Sequence, residues 1–111
     1  MQKSGDEFIH IGTIEEGDIQ SVQLVNAKIN ENRRQQIRRN HTATHLLHQA
    51  LRMIVGDHVQ QAGSLVTADS LRFDLTHYEQ ISKSQIDELE KCVNGVILQN
   101  IDVETTLKKI D

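Results

Sequence analysis

Residues 40–48 read Asn-His-Thr-Ala-Thr-His-Leu-Leu-His and carry the clearest chemistry in the chain. His41 and His45 stand four positions apart, one helical turn, so both imidazoles reach the same side and can share one cation. Zn²⁺ is the usual occupant of such a pair. A tetrahedral zinc wants at least one more protein ligand, and a catalytic one keeps an open position for water. No glutamate lies between the histidines, so this is not the His-Glu-x-x-His arrangement of zinc proteases. His48 extends the row, and could equally stand behind the ligands as a supporting group. Spacing alone is also satisfied by two surface histidines near a helix start. Cys92 is the obvious internal candidate for a third ligand, but it borders an apolar stripe and reads better as a small buried hydrophobe. His10, His58 and His77 fall on predicted edges and loops and receive no role.

Two further groups of side chains could bind. Gln61 sits in Gln60-Gln61-Ala62-Gly63-Ser64, and a glutamine amide offers both a donor and an acceptor to a small ligand. The plainer account of this stretch is a turn leading into a strand. Arg33, Arg34, Arg38 and Arg39 place four basic residues within seven positions. They form either a solvated surface segment or a phosphate-contacting patch. Such a patch can act locally despite a net charge of -4, because physiological salt screens charges beyond about 8 Å. No Ser-His-Asp order, phosphate-cradling glycine loop or ATP-binding motif is found.

These residues must be held by a modest framework. The 111 residues suffice for a single domain, with 37% apolar and 3% aromatic residues, so Leu, Ile and Val must build the core. The acidic balance argues against a generally basic nucleic-acid binder, and no DNA partner is expected. No apolar run is long enough to span a membrane. The single cysteine fits a reducing, cytoplasmic setting. Residues 7–13 and 19–29 read as two strands of a hairpin around the turn at 15–18, followed by a break at 30–32 and a short helix or turn over 33–39. A main helix is predicted over 41–55, capped by Asn40 and ended by Gly56. Ala43, Leu46, Leu47, Ala50, Leu51 and Ile54 form its core stripe, with the histidines and Arg52 on the opposite side. Strands are predicted at 60–66 and 71–75, joined by a tight turn over 67–70. In the second, Leu71, Phe73 and Leu75 share one face, Arg72 and Asp74 the other. A second helix is predicted over 83–99, with Ser82 and Gln85 as a capping box, Ile81 and Ile86 as a hydrophobic staple, and Ile86, Leu89, Val93, Val96, Ile97 and Asn100 buried. Residues 101–107 read as extended. The order ββαββαβ predicts an α+β fold, two main helices packed on a largely antiparallel sheet.

Three motifs occur in register: Asn-His-Thr-Ala-Thr-His-Leu-Leu-His (40–48), Gln-Ala-Gly-Ser-Leu-Val (61–66) and Leu-Arg-Phe-Asp (71–74). Together with Arg33-Arg34…Ile37…Asn40 and Glu90…Val93-Asn94, they resemble the editing domain of bacterial alanyl-tRNA synthetase over about residues 17–107. Threonyl-tRNA synthetase editing domains and free-standing alanyl-tRNA editing proteins share the His-x-x-x-His logic. The resemblance implies an alanine–tRNA ligase parent that charges tRNA(Ala) using ATP in a separate aminoacylation domain. It implies zinc held by His41 and His45, with a cysteine and a histidine from a later Cys-x-x-x-His motif. The implied reaction is hydrolysis of tRNA(Ala) mischarged with serine or glycine, with Gln61 lining the pocket. Thr42 and Arg72 fall within matching motifs, Arg72 as a supporting group, and the four arginines are candidates for the acceptor end of tRNA(Ala). No Cys-x-x-x-His occurs in the 111 residues, and Leu75 stands where the family commonly has phenylalanine. The chain is accordingly expected to be one fragment, 1–111, divided into a lead-in (1–39) and a motif-bearing part (40–111). Its zinc set would be incomplete, and its partner would be the remaining half of the editing domain. The alternatives are a free-standing editing protein and a non-catalytic tRNA-binding module.

Overall fold

Asn30, not Asn40, starts the long helix. Its backbone is extended (φ −75°, ψ 98°), and its side-chain oxygen accepts from the Arg33 amide at 3.0 Å, satisfying an orphan donor of the first turn. The computed structural model describes residues 1–110. Its elements are β1 (Gln2–Ser4), β2 (Glu7–Ile9), α1 (Glu31–Ile54), β3 (Gln60–Val66), β4 (Leu71–Thr76) and α2 (Lys83–Leu98). Residues 33–39 therefore belong to α1 rather than to a separate short helix. They contain no glycine or proline and are mostly good helix formers, so nothing ends the helix ahead of the histidines. At the other end Gly56 follows the cap with φ 147°, the glycine turn the sequence predicts.

Asn40 instead lies inside α1 and ties it to the hairpin. Its side-chain amide donates to the Thr67 carbonyl at 2.9 Å and to the Ala68 carbonyl at 3.2 Å, both in the β3–β4 turn. Buried Thr44, one helical turn on, donates its hydroxyl to the Asn40 carbonyl at 2.9 Å. The turn is closed by its own ends. The Thr67 amide donates to the Ser70 carbonyl at 2.9 Å, and the Thr67 hydroxyl oxygen accepts from the Ser70 amide at 3.0 Å.

The architecture is α+β, with two helices and two small antiparallel sheets rather than one larger sheet. β3 and β4 form the sheet that packs on α1, with Val66 opposite Leu71 and Gln60 opposite Thr76. α2 packs on α1 and begins with the expected capping box between Ser82 and Gln85. Ala50 and Leu51 of α1, Val59 just ahead of β3, and Leu89 of α2 are buried. Leu47, Ile54, Phe73, Leu75, Ile81, half-buried Cys92 and Val93 surround them. Each fully buried aliphatic side chain contributes about 1.5–3 kcal/mol, so this small core gives limited stability.

The lead-in departs from expectation. β2 pairs with β1, not with residues 19–29, and this hairpin packs on no other element among the described residues. Residues 19–29 form no strand: Val22 takes φ 56°, a break for a β-branched residue, and no sheet edge takes the segment up. Residues 101–107 form no strand either, so the order is ββαββα. The α2 stripe is shorter than predicted. Leu89 is buried and Val93 and Val96 are half-buried, but Ile86 and Ile97 are exposed and Asn100 lies past the helix. The radius of gyration, 19.9 Å, exceeds the about 13 Å of a compact chain of this length, because the two ends extend away from the core.

The Asn40 clamp gives a direct test. Asn40→Ala gains about 0.5 kcal/mol of helix propensity but loses two partly buried hydrogen bonds worth about 1–3 kcal/mol. Urea unfolding is expected to show a net loss of about 1–2 kcal/mol. Asn40→Asp, which aims carboxylate oxygens at two carbonyls, is expected to cost more than the alanine.

Candidate functional site

α1 brings His41 and His45 together as the spacing requires. Their rings meet edge to face, with centroids 4.9 Å apart and planes at 74°, and both are exposed. Two imidazoles on one tetrahedral zinc, with Zn–N bonds of about 2.0 Å, place their centroids about 5 Å apart. The separation of the His41 and His45 centroids matches that value. Among the described residues no group of three or more His, Cys, Asp or Glu side chains converges to hold a metal. Half-buried Cys92 packs against the core. His48 sits one turn beyond His45, half-buried, with its ring 5.3 Å from that of Phe73 on β4. It thus joins the histidine row to the hairpin.

The hairpin register decides where Gln61 lies. Ser64 pairs with Phe73 and Gln61 with Leu75, with an irregularity at Ala62 between Gln61 and Gly63. Directly opposed residues share a face, so Gln61 and Ser64 stand on the face of Phe73, the residue that touches His48. The bulge brings both residues to that face although they are three apart, and the Gln61 amide donates to the Ser64 hydroxyl at 2.8 Å. Gln61 is exposed, so this amide is accessible to a ligand. Arg72 and Asp74 occupy the other face, ion-paired with Nε to Oδ1 at 3.1 Å. Asp74 also lies over Gly63, where an added Cβ would stand 2.9 Å from Oδ2. Arg72 thus lies on the hairpin face opposite Phe73, the residue that meets His48.

Thr42 is exposed and faces a groove between α1 and the end of α2, lined also by Gln35, Arg38, Arg39, Val96 and Asn100. Arg33, Arg34, Arg38 and Arg39 are all exposed, and none is in an ion pair among the described residues.

A second histidine pair received no role in the sequence analysis. His58 Nε2 and His77 Nδ1 are 2.7 Å apart, a hydrogen bond, and the rings stack with centroids 4.9 Å apart and planes at 26°. Tyr78 lies against both. Two ligands of a tetrahedral zinc hold their nitrogens about 3.3 Å apart, so this pair is arranged to share a proton. The signal was present: the two residues flank the open end of the predicted hairpin, and closing it brings them together. The His58 ring also folds over Gly56, where an added Cβ would lie 2.6 Å from Nδ1. Gly56→Ala is expected to destabilise by about 1–3 kcal/mol, from both backbone strain and this clash. His58→Ala in the same chain should recover only part of the loss in urea unfolding, because the φ of 147° remains.

No protein-family model matches the chain. An alanine–tRNA ligase of Thermoanaerobacter sp. is 51% identical over 110 residues, 99% of this chain and 12% of that protein. Alanine–tRNA ligases of Rhodopseudomonas palustris and Nitrobacter winogradskyi are each 44% identical over 111 residues, all of this chain and 12% of theirs. At this identity over its whole length, the chain is homologous to a segment that makes up about one eighth of those ligases.

Proposed function

We propose that this chain is the histidine-bearing part of an editing site in an alanine–tRNA ligase, one that removes serine or glycine wrongly esterified to tRNA(Ala). The fold read this way is the first part of a threonyl/alanyl-tRNA synthetase-type editing domain. The observation that carries the reading is the edge-to-face pair His41 and His45 at 4.9 Å, on a helix whose next histidine, His48, meets Phe73 on the hairpin face that also carries Gln61. The match of this whole chain to a segment of alanine–tRNA ligases supports tRNA as the substrate class. Charging of tRNA by ATP belongs, on this reading, to another part of a ligase of its relatives' length.

His41 and His45 would hold zinc through one ring nitrogen each, and two further donors would come from outside the described residues. When bound, zinc supplies Lewis-acid chemistry, organising either the attacking water or the aminoacyl carbonyl. The protein's own share is selection and positioning. Alanine and serine differ by one hydroxyl, and a small apolar activation pocket rejects an added hydroxyl poorly. A second site that hydrogen-bonds the hydroxyl can select the error for hydrolysis. Gln61 can do this by exchanging its bond to Ser64 for one to the serine side chain, its amide offering both donor and acceptor. The two Asn40 side-chain bonds hold the first histidine turn against the hairpin and so keep the two halves of the pocket in register.

Two measurements test the reading. Calorimetric titration of the 111-residue chain with zinc should give one site, weaker than micromolar, that His41→Ala removes. A sub-micromolar site would mean further ligands among the residues present, His48 or Cys92 first. In a full-length ligase carrying this segment, His41→Ala or His45→Ala should slow hydrolysis of Ser-tRNA(Ala) by about 100-fold or more and leave alanine charging intact. Unchanged hydrolysis would refute the assignment.

A further inference from the structure

The continuous course of α1 places side chains in line that the sequence analysis assigned to two separate elements. Arg34, Arg38, His41, His45, His48 and Arg52 follow one another at alternating steps of four and three residues within α1. At about 100° per residue they occupy one arc of roughly 80°. Arg33 falls about 80° from His41 on the hairpin side and Arg39 about 160° away; Arg38 and Arg39 both line the groove shared with α2, Arg38 from the side of the histidines, about 60° from His41. The four clustered arginines therefore divide into two on the histidine row and two off it.

This row is not explained by folding. α1 holds five arginines and one glutamate in a chain of net charge -4. The glutamate, Glu31, accepts a hydrogen bond from Gln35 at 2.7 Å. Arg52 has a partner, Asp57, at 3.9 Å, whereas Arg34 and Arg38 have none among the described residues. Like charges at i and i+4 cost an isolated helix about 0.2–0.5 kcal/mol. Neither arginine is buried or capping anything, so beyond a helix propensity that an uncharged residue would equally supply the helix gains nothing from them.

We infer that Arg38 and Arg34 form a phosphate track leading to the histidine pair, on which a single-stranded RNA end lies with its 3′ terminus at His41 and His45. The inference rests on the proposed editing site, because the ester to be cleaved is at the 3′ end of an RNA. Arg38 lies about 4.5 Å and Arg34 about 10.5 Å along the axis from His41, so a backbone leaving the site meets the two guanidiniums in succession. Guanidinium is suited to the contact, since its planar fork binds phosphate oxygens in pairs. Arg33 and Arg39 face away from this track.

Binding of a fluorescein-labelled single-stranded RNA of about eight nucleotides, carrying no ester, tests the inference without hydrolysis or zinc. Arg34→Gln with Arg38→Gln should lower the slope of log affinity against log salt by about 1.4, two phosphate contacts on a single strand. Arg33→Gln with Arg39→Gln should leave that slope unchanged. Glutamine keeps helix propensity close to arginine's, and far-ultraviolet circular dichroism verifies the fold of each variant. A nitroxide on the 3′ end of the RNA should bleach the amide signals of His41 and His45. An equal loss of slope in both double variants would overturn the track, as would no RNA binding by the unsubstituted chain at low salt. Bleaching centred on Glu31 would reverse its direction and equally overturn it. Failure of zinc binding alone, with the slope difference intact, would count against the editing reading and not against the track.

Discussion

The Asn40 side-chain amide is the constraint on which the site depends. It is a polar group inside a helix, and it gives two hydrogen bonds to the carbonyls of the turn between β3 and β4. A hairpin laid on a helix through apolar contacts alone can slide, because those contacts have no direction. Two bonds from one amide to adjacent carbonyls set a position along the helix. Thr44 hydrogen-bonds the carbonyl of the same Asn40 from one turn further on. Each of these anchors immediately precedes a histidine of the pair. Asn40, which holds the hairpin, and Thr44, which braces the Asn40 carbonyl within α1, thus alternate with the two histidines along the same two turns.

That arrangement accounts for how a small core serves a precise site. Among the described residues only Ala50, Leu51, Val59 and Leu89 are buried apolar residues, and the two ends stand away from them. Directional polar contacts do the positioning that a larger core would otherwise do. The contacts of Phe73 with His48 and of Gln61 with Ser64 continue this pattern across the hairpin face. On the opposite face the Arg72 and Asp74 pair is exposed, and such surface pairs contribute at most about 1 kcal/mol.

The length of α1 has a functional consequence as well. A helix beginning at the motif would leave the arginines on an adjoining turn with no defined relation to the histidines. Because Asn30 caps the helix, the periodicity runs unbroken from Arg34 to Arg52. One element then carries both the His41 and His45 pair and the arginines nearest to it. The net acidity of the whole chain does not describe this face.

The local features were legible in the residues alone. His41 and His45 share a side because four positions make one helical turn, whatever surrounds the helix. The capping box at Ser82, the glycine turn at Gly56 and the alternation of Leu71, Phe73 and Leu75 are likewise properties of a few neighbouring residues. The start of α1 was misplaced because Asn30 and Asn40 are chemically identical caps, and only a distant turn that needs donors tells them apart. The expected strand at 19–29 failed for a related reason: alternation makes a strand possible, but a partner edge makes it real. Tertiary structure alone decided that Gln61 shares the hairpin face of Phe73, that Arg72 lies on the other face, and that His58 meets His77. Each of those depends on hairpin register and on a bulge at Ala62, where a one-residue shift would exchange the two faces.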